Sequence, residues 1–132
     1  MKPRIALISI FTQNLEAMVA FYQDVLGFEV AFQQGKYVEF KNEGVRFSIC
    51  DLEVMQDTVD HPVFRQPRSG QPFELAFDAL TPPEVDRLYT ELIAGGAKPI
   101  QPPTNMPWNQ RTAFFADLDG NVHEIFADLP QD

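Results

Sequence analysis

The sequence predicts an α+β fold in which two βαβββ modules make up one domain. Three observations lead to this prediction: an internal repeat, two amphipathic helices that each end at glycine, and short strands flanking both helices. When the chain is laid on itself with a shift of 76 positions, Gly44 falls on Gly120. In both halves this glycine closes a polar turn between two apolar strands. Similarity at one long internal period indicates a repeated structural unit.

The two helices are predicted from apolar spacing and from the residues at their ends. In the first, Asn14 is the predicted N-cap, an apolar stripe repeats every three or four residues, and the helix ends at Gly27. In the second, Thr81 caps, Pro82 takes the first helical position and Glu84 is placed to close a capping box. Each helix therefore has its own start and stop signals.

The repeat also sets the expected boundaries within the single domain, residues 1–132. Module one covers about 4–51, with a leading strand at 5–11, and module two covers about 73–128, with a leading strand at 73–78. The segment between them, about 52–72, carries Pro62, Pro67 and Pro72 and is predicted to be a crossover loop.

Composition and charge narrow the possible partners. The net charge is −9 and is spread along the chain, so nucleic acid and anionic membranes are disfavoured while a cationic ligand would be attracted. Cys50 is the single cysteine, which excludes an internal disulfide and suits a cytoplasmic location. The apolar run near the N-terminus is interpreted as a strand, and no stretch approaches the ~20 apolar residues that cross a bilayer.

Two stretches, "NLEAMVAFYQDVLGFEV" and "PWNQRTAFFADLDGNVHEIF", resemble the signature segments of the vicinal oxygen chelate superfamily. This superfamily includes glyoxalases, bleomycin-resistance proteins, fosfomycin-resistance enzymes and extradiol dioxygenases. The resemblance runs from Ile5 to about Asp128 and is specific for the fold rather than for the reaction. It implies paired βαβββ modules whose sheets curl around a concave pocket, usually completed in a homodimer.

Strand alternation predicts which side chains face that pocket. Glu124 is placed on the pocket face and His123 on the helix side, and the shift of 76 aligns Glu124 with Ser48. The strand before Glu124 is expected to add Arg111 and Phe115 to the same face. The full predicted set is Phe11, Tyr37, Glu39, Arg46, Ser48, Cys50, Glu74, Arg111, Phe115, Glu124 and Phe126, with Trp108 at the rim.

The resemblance also allows a test for a metal site. Metal-dependent members take ligands from four equivalent positions, which here are Leu7, Ser48, Glu74 and Glu124. Leucine cannot ligate a metal and a serine hydroxyl is a poor ligand, so no metal cofactor is predicted. If a divalent metal does bind, Glu74 and Glu124 are its expected ligands, with Glu39 as a further candidate.

The histidines add nothing to the predicted metal site. His123 is expected in the helix layer, where a ring nitrogen finds a polar partner. His61, in the crossover segment, is expected at the surface, with a place over the pocket as the alternative.

The expected function is binding of a small molecule, with a cationic ligand as one option. The predicted ligand-binding residues are Phe11, Tyr37, Arg46, Ser48, Glu74, Trp108, Arg111, Phe115 and Phe126. Trp108 is either a stacking platform or an anchor for its loop. The alternative function is an enzyme of this superfamily, a lyase, isomerase or dioxygenase with altered metal ligands, or a metal-free one.

Glu124 is the candidate catalytic residue. In an apolar-walled pocket its pKa would rise and it could act as a general base. In the other interpretation it forms an ion pair with Arg46 or Arg111, which would lower its pKa and satisfy both groups.

Overall fold

The computed structural model describes residues 1–131, which form two compact units, 1–69 and 70 onward. Each unit carries one four-stranded sheet, and the sheets have the same topology. The first unit contains β1 (Leu7–Thr12), α1 (Leu15–Asp24), β2 (Val30–Gln34), β3 (Tyr37–Phe40), β4 (Arg46–Asp51), α2 (Leu52–Thr58) and a 3-10 turn at Pro62–Phe64. The second contains β5 (Ala76–Asp78), α3 (Pro82–Ala94), β6 (Lys98–Met106), β7 (Gln110–Ala116) and β8 (Val122–Asp128).

The strand order confirms the repeated βαβββ architecture. It is β1-β4-β3-β2 in the first sheet and β5-β8-β7-β6 in the second. In both sheets the leading strand runs parallel to the last strand, and the other pairs are antiparallel. No helix among residues 1–131 is long and apolar enough to span a bilayer.

An aromatic cluster forms the core of module one. Tyr22, on α1, is fully buried and packs on Phe40 and Phe47, with ring centroids 6.1 and 5.6 Å away. Phe28 completes the cluster at 5.6 Å from Phe40 and 5.3 Å from Phe47. Rings at these distances add to the burial of apolar area. The apolar face of the β3–β4 hairpin therefore packs on the helix layer.

Helix α3 covers one face of the second sheet. Its buried residues are Val85 and Leu92, and the covered face of the sheet contributes Ala113, Ile125 and Ala127. The alternation along β8 agrees with the prediction, since His123 and Ile125 are buried while Glu124 and Phe126 are only half-buried.

The predicted crossover loop is wrong in its first third, because α2 occupies Leu52–Thr58. The side chain of Asp51 caps this helix by accepting a hydrogen bond from the Glu53 amide at 2.9 Å. The prolines that suggested a loop all lie beyond the end of the helix, and Pro62 begins the short 3-10 turn. The prolines therefore limit how far helix α2 can extend, but they do not exclude a helix before them.

Two smaller expectations also need correction. Thr81 is the N-cap of α3, but its side chain makes no capping hydrogen bond, and Glu84 binds Arg87 at 2.6 Å instead of closing a capping box. The leading strand of module two is shorter than predicted, since the ladder begins only at Ala76. Residues 71–75 run beside β8 with other contacts, described below.

Candidate functional site

The register between β7 and β8 decides which side chains surround Glu124. Ala116 pairs with Val122, so the turn between them, 117–121, has five residues. The buried Asp117 organises this turn: Oδ1 accepts from the Asp119 and Asn121 amides at 3.0 and 2.9 Å, and Oδ2 accepts from Asn121 Nδ2 at 2.7 Å. A carboxylate with three donors holds a turn strongly.

Because of this turn, the prediction that Arg111 and Phe115 lie on the same face of the sheet as Glu124 is wrong. Across a turn with an odd number of residues, even-numbered positions pair with even-numbered ones and odd-numbered positions with odd-numbered ones. Glu124 therefore lies opposite Phe114, and His123 lies opposite Phe115. Phe115 is fully buried on the helix side, 5.7 Å from the His123 ring. Arg111 is on that side too and binds Asp86 of α3 through two hydrogen bonds of 2.8 and 2.7 Å.

Two residues that the prediction missed lie on the Glu124 face instead of Arg111 and Phe115. Phe114 lies directly across from Glu124, and Thr112 lies across from Phe126. In module one the corresponding hairpin pairs Phe40 with Phe47 across six residues, so the two turns differ by one residue. The register of module two follows from the five-residue turn, whose length is defined by the pairing of Ala116 with Val122.

Glu74 and Glu124 form a carboxyl pair on this face. The pKa of Glu124 is raised to about 7, first because burial penalises the charged carboxylate and then through its hydrogen bond and charge repulsion with Glu74. The strand neighbour of Glu124 on β5 is Ala76, which has no polar group to offer. Glu74 is thus close enough to Glu124 to affect its pKa, and the role of the two residues in binding stays a prediction.

The basic side chains of module two are engaged elsewhere. Arg111 binds Asp86, Arg87 binds Glu84 and Glu91 of α3, and Lys98 reaches the Leu118 carbonyl. In the first module Arg46 binds Glu39. Within the described part of module two, no arginine or lysine contacts Glu124, so the interpretation of Glu124 as the ion-pair partner of Arg111 does not hold.

On the corresponding face of module one, the buried carboxylate is paired with an arginine. Glu39, nearly buried, accepts from Arg46 Nε at 3.0 Å and Nη2 at 2.7 Å, and from the Tyr37 hydroxyl at 2.7 Å. The hydrogen bonds from Arg46, and then that from Tyr37, lower the pKa of Glu39. Ser48 donates to Ser9 at 2.8 Å. These contacts bring Tyr37, Glu39 and Arg46 together, and the role of these residues in ligand binding stays a prediction.

The remaining predicted residues differ in exposure. Phe11 is 38% exposed, with its ring edge-on to Phe64 at 5.9 Å, and Phe126 is half-buried on the Glu124 face. Trp108 is 60% exposed, and its indole donates to Gln110 Oε1 at 3.1 Å. Cys50 is buried, which raises the pKa of its thiol.

Both histidines have local structural partners. His61 is exposed, and its Nδ1 accepts from the Val63 amide at 3.1 Å. His123 is buried beside Phe77 and Phe115, and its Nδ1 accepts from the Leu75 amide at 3.4 Å. His123 therefore lies in the helix layer, as its place on the strand predicts.

The side chains present do not fit a catalytic divalent metal. Of the four positions implied by the family, Leu7 has no donor atom and the Ser48 hydroxyl is committed to Ser9. Glu74 and Glu124 are left, and in residues 1–131 no three His, Cys, Asp or Glu side chains converge. Catalytic metal sites need about three protein ligands, so no chemical step is assigned to a metal here.

The chain belongs to the glyoxalase/bleomycin resistance protein/dioxygenase superfamily, whose family model matches residues 4–125. A solved member from Nocardioides is 30% identical with a TM-score of 0.86, covering 100% of this chain and 87% of its own. A lactoylglutathione lyase from Agrobacterium tumefaciens is 25% identical with a TM-score of 0.69, covering 94% and 92%. The uncharacterised Bacillus subtilis protein YraH is 26% identical over 90% of this chain and 94% of its own.

The raised pKa of Glu124 leads to a prediction about stability. Between the ordinary carboxyl pKa near 4.5 and about 7, the folded protein keeps a proton on Glu124 that the unfolded chain has released. This group therefore removes stability as the pH rises through that window. The variant Glu124→Gln should be more stable than the parent by about 1–2 kcal/mol at pH 8, and close to it at pH 4, in urea unfolding.

The control is Glu43→Gln, which changes an exposed carboxylate in the turn of module one. Its stability should stay close to that of the parent at both pH values, because the side chain is exposed. An equal or lower stability of Glu124→Gln at pH 8 would contradict the raised pKa.

Thr112 supplies a second prediction. Its side chain is 0% exposed, and its hydroxyl has no hydrogen-bond partner among the residues described. An unpaired buried hydroxyl costs about 1–3 kcal/mol, so the nearly isosteric Thr112→Val should raise the free energy of unfolding by about 1 kcal/mol. The matched control is Thr104→Val on the neighbouring strand, which loses a 2.8 Å hydrogen bond to the Pro102 carbonyl and should gain nothing. A loss of stability in Thr112→Val would show that this hydroxyl is paired.

Proposed function

We propose that this protein binds a small organic cation on the Glu124 face of its second module, without a catalytic metal. The observation that carries the proposal is the Glu74–Glu124 carboxyl pair beside Phe114 and Phe126, with the arginines of the module bound to other carboxylates. A face that combines carboxyl groups with aromatic rings is complementary to a protonated amine.

The electrostatics favour a ligand that brings a positive charge with it. At neutral pH Glu124 holds its proton about half of the time, because burial and then the neighbouring Glu74 raise its pKa to about 7. An ammonium group placed between the two carboxyls would lower this pKa and release the proton. The aromatic rings would attract the same cation through their faces.

The proposal also covers the cellular location and the oligomeric state of the protein. We propose a cytoplasmic homodimer, supported by the buried free thiol of Cys50 and by exposed apolar side chains such as Phe11 and Phe32 in module one. Light scattering would check the dimer.

Catalysis is the second candidate, and the raised pKa of Glu124 is the observation that favours it. A carboxyl with a pKa near 7 can both accept and release a proton at neutral pH, which suits a general base. The family includes proteins named as enzymes, and one relative is named lactoylglutathione lyase. In such a reaction Glu124 would abstract a proton from the bound substrate and Glu74 would modulate its basicity.

The binding proposal is tested with three probes of one shape: benzylamine, benzyl alcohol and benzoate. Calorimetry at pH 7.5 should show preference for the amine, and its affinity should fall about ten-fold per pH unit below 7 as Glu124 becomes protonated. Glu124→Gln should weaken amine binding at least ten-fold. The control Glu29→Gln, which removes an exposed partner of Lys41, should not.

Equal binding of the three probes, or full amine affinity in Glu124→Gln, would overturn the proposed site. Metal analysis of the purified protein tests the other half of the proposal. Stoichiometric zinc, nickel, manganese or iron that is lost in Glu124→Ala would contradict metal-free binding and favour the enzyme with an altered ligand set.

A further inference from the structure

The side chain of Gln71 pairs with β8 in the way that a strand residue would. Its Oε1 accepts from the Val122 amide at 2.7 Å, and its Nε2 donates to the Val122 carbonyl at 2.8 Å. The same Nε2 also donates to the Phe73 carbonyl at 2.8 Å. A primary amide offers one acceptor and a donor like a peptide unit, so it can replace a backbone partner.

A second attachment lies four residues further on, at Leu75. Its carbonyl accepts from the Glu124 amide at 2.9 Å, and its amide donates to His123 Nδ1 at 3.4 Å. Glu74 lies between the two attachments, immediately before Leu75. The backbone that carries Glu74 is thus held to β8 on both sides, although the ladder of β5 begins only at Ala76.

We propose that Gln71 is a positioning residue that holds Glu74 beside Glu124 by taking the place of the missing strand partner of Val122. The proposal rests on the proposed function only in identifying the Glu74–Glu124 pair as the site. Two carboxyls repel each other once both are ionised, so Glu74 stays next to Glu124 only if its backbone is tethered. Glu74 is itself exposed, and burial of its side chain does not supply that tether.

The test uses Gln71→Met, which keeps the length of the side chain and removes both hydrogen-bonding groups. The matched control is Gln33→Met. Gln33 is also exposed, and its Nε2 also donates to a carbonyl two residues on, that of Gly35 at 3.1 Å. Among residues 1–131 its side chain makes no hydrogen bond to a neighbouring strand.

The first measurement is amide hydrogen exchange by NMR, on protein without ligand. In Gln71→Met the Val122 amide should exchange about ten-fold faster, which corresponds to the loss of one ordinary hydrogen bond. Core amides such as that of Ile125 should keep their protection, and Gln33→Met should match the parent at Val122. Unchanged protection of Val122 in Gln71→Met would show that the amide contact does not form.

The second measurement separates positioning from simple structural support. The side-chain carboxyl carbon of Glu124 is titrated by NMR in the parent and both variants. In Gln71→Met the midpoint should move down toward the ordinary carboxyl value, because Glu74 is no longer held close, while Gln33→Met should leave it in place. If the Val122 amide exchanges faster in Gln71→Met but the Glu124 titration midpoint equals that of the parent, Gln71 has a structural role only.

Neither readout needs a ligand, so the two proposals can fail separately. If amines do not bind but the Glu124 midpoint moves in Gln71→Met, the positioning role stands and the proposed function falls. If amines bind through Glu124 but the midpoint does not move, the function stands and the role of Gln71 is refuted.

Discussion

The carboxylate of Asp117 fixes the arrangement on which the candidate site depends. By accepting three hydrogen bonds inside the 117–121 turn, it sets a five-residue connection between β7 and β8. Because strand side chains alternate, one residue more or less would exchange the two faces of β7 relative to β8. The same turn therefore places Phe114 and Thr112 around Glu124 and sends Arg111 and Phe115 to α3.

The two modules share a topology but differ in the chemistry of the corresponding faces. In module one the buried carboxylate, Glu39, has a guanidinium and a phenol as partners, so its charge is balanced within the protein. In module two the arginines are drawn to acidic residues of α3, and the carboxyls Glu74 and Glu124 are left to each other. Partial burial and the neighbouring Glu74 raise the pKa of Glu124, and strongly perturbed pKa values are common at functional sites.

Most of the fold could be predicted from the sequence because its signals are local. The apolar stripe and the terminal glycine define α1, and the repeat aligns Ser48 with Glu124 as the structure does. Register is different, because it depends on how many residues a turn contains and on which side chain holds it. The sequence "DLDGN" reads equally well as a tight turn of either parity, and that ambiguity misplaced Arg111 and Phe115. The contact between Gln71 and Val122 joins residues 51 positions apart and has no pattern in the chain.

The most direct test of the account is the titration midpoint of the Glu124 side-chain carboxyl, followed by NMR in the parent protein and in Glu74→Gln. The account predicts a midpoint near 7 in the parent. In Glu74→Gln it should be lower but still above the ordinary value, since burial is the larger cause and the neighbouring charge the smaller. A parent midpoint near 4.5 would contradict the account, because Glu124 would then be an ordinary ionised surface carboxylate.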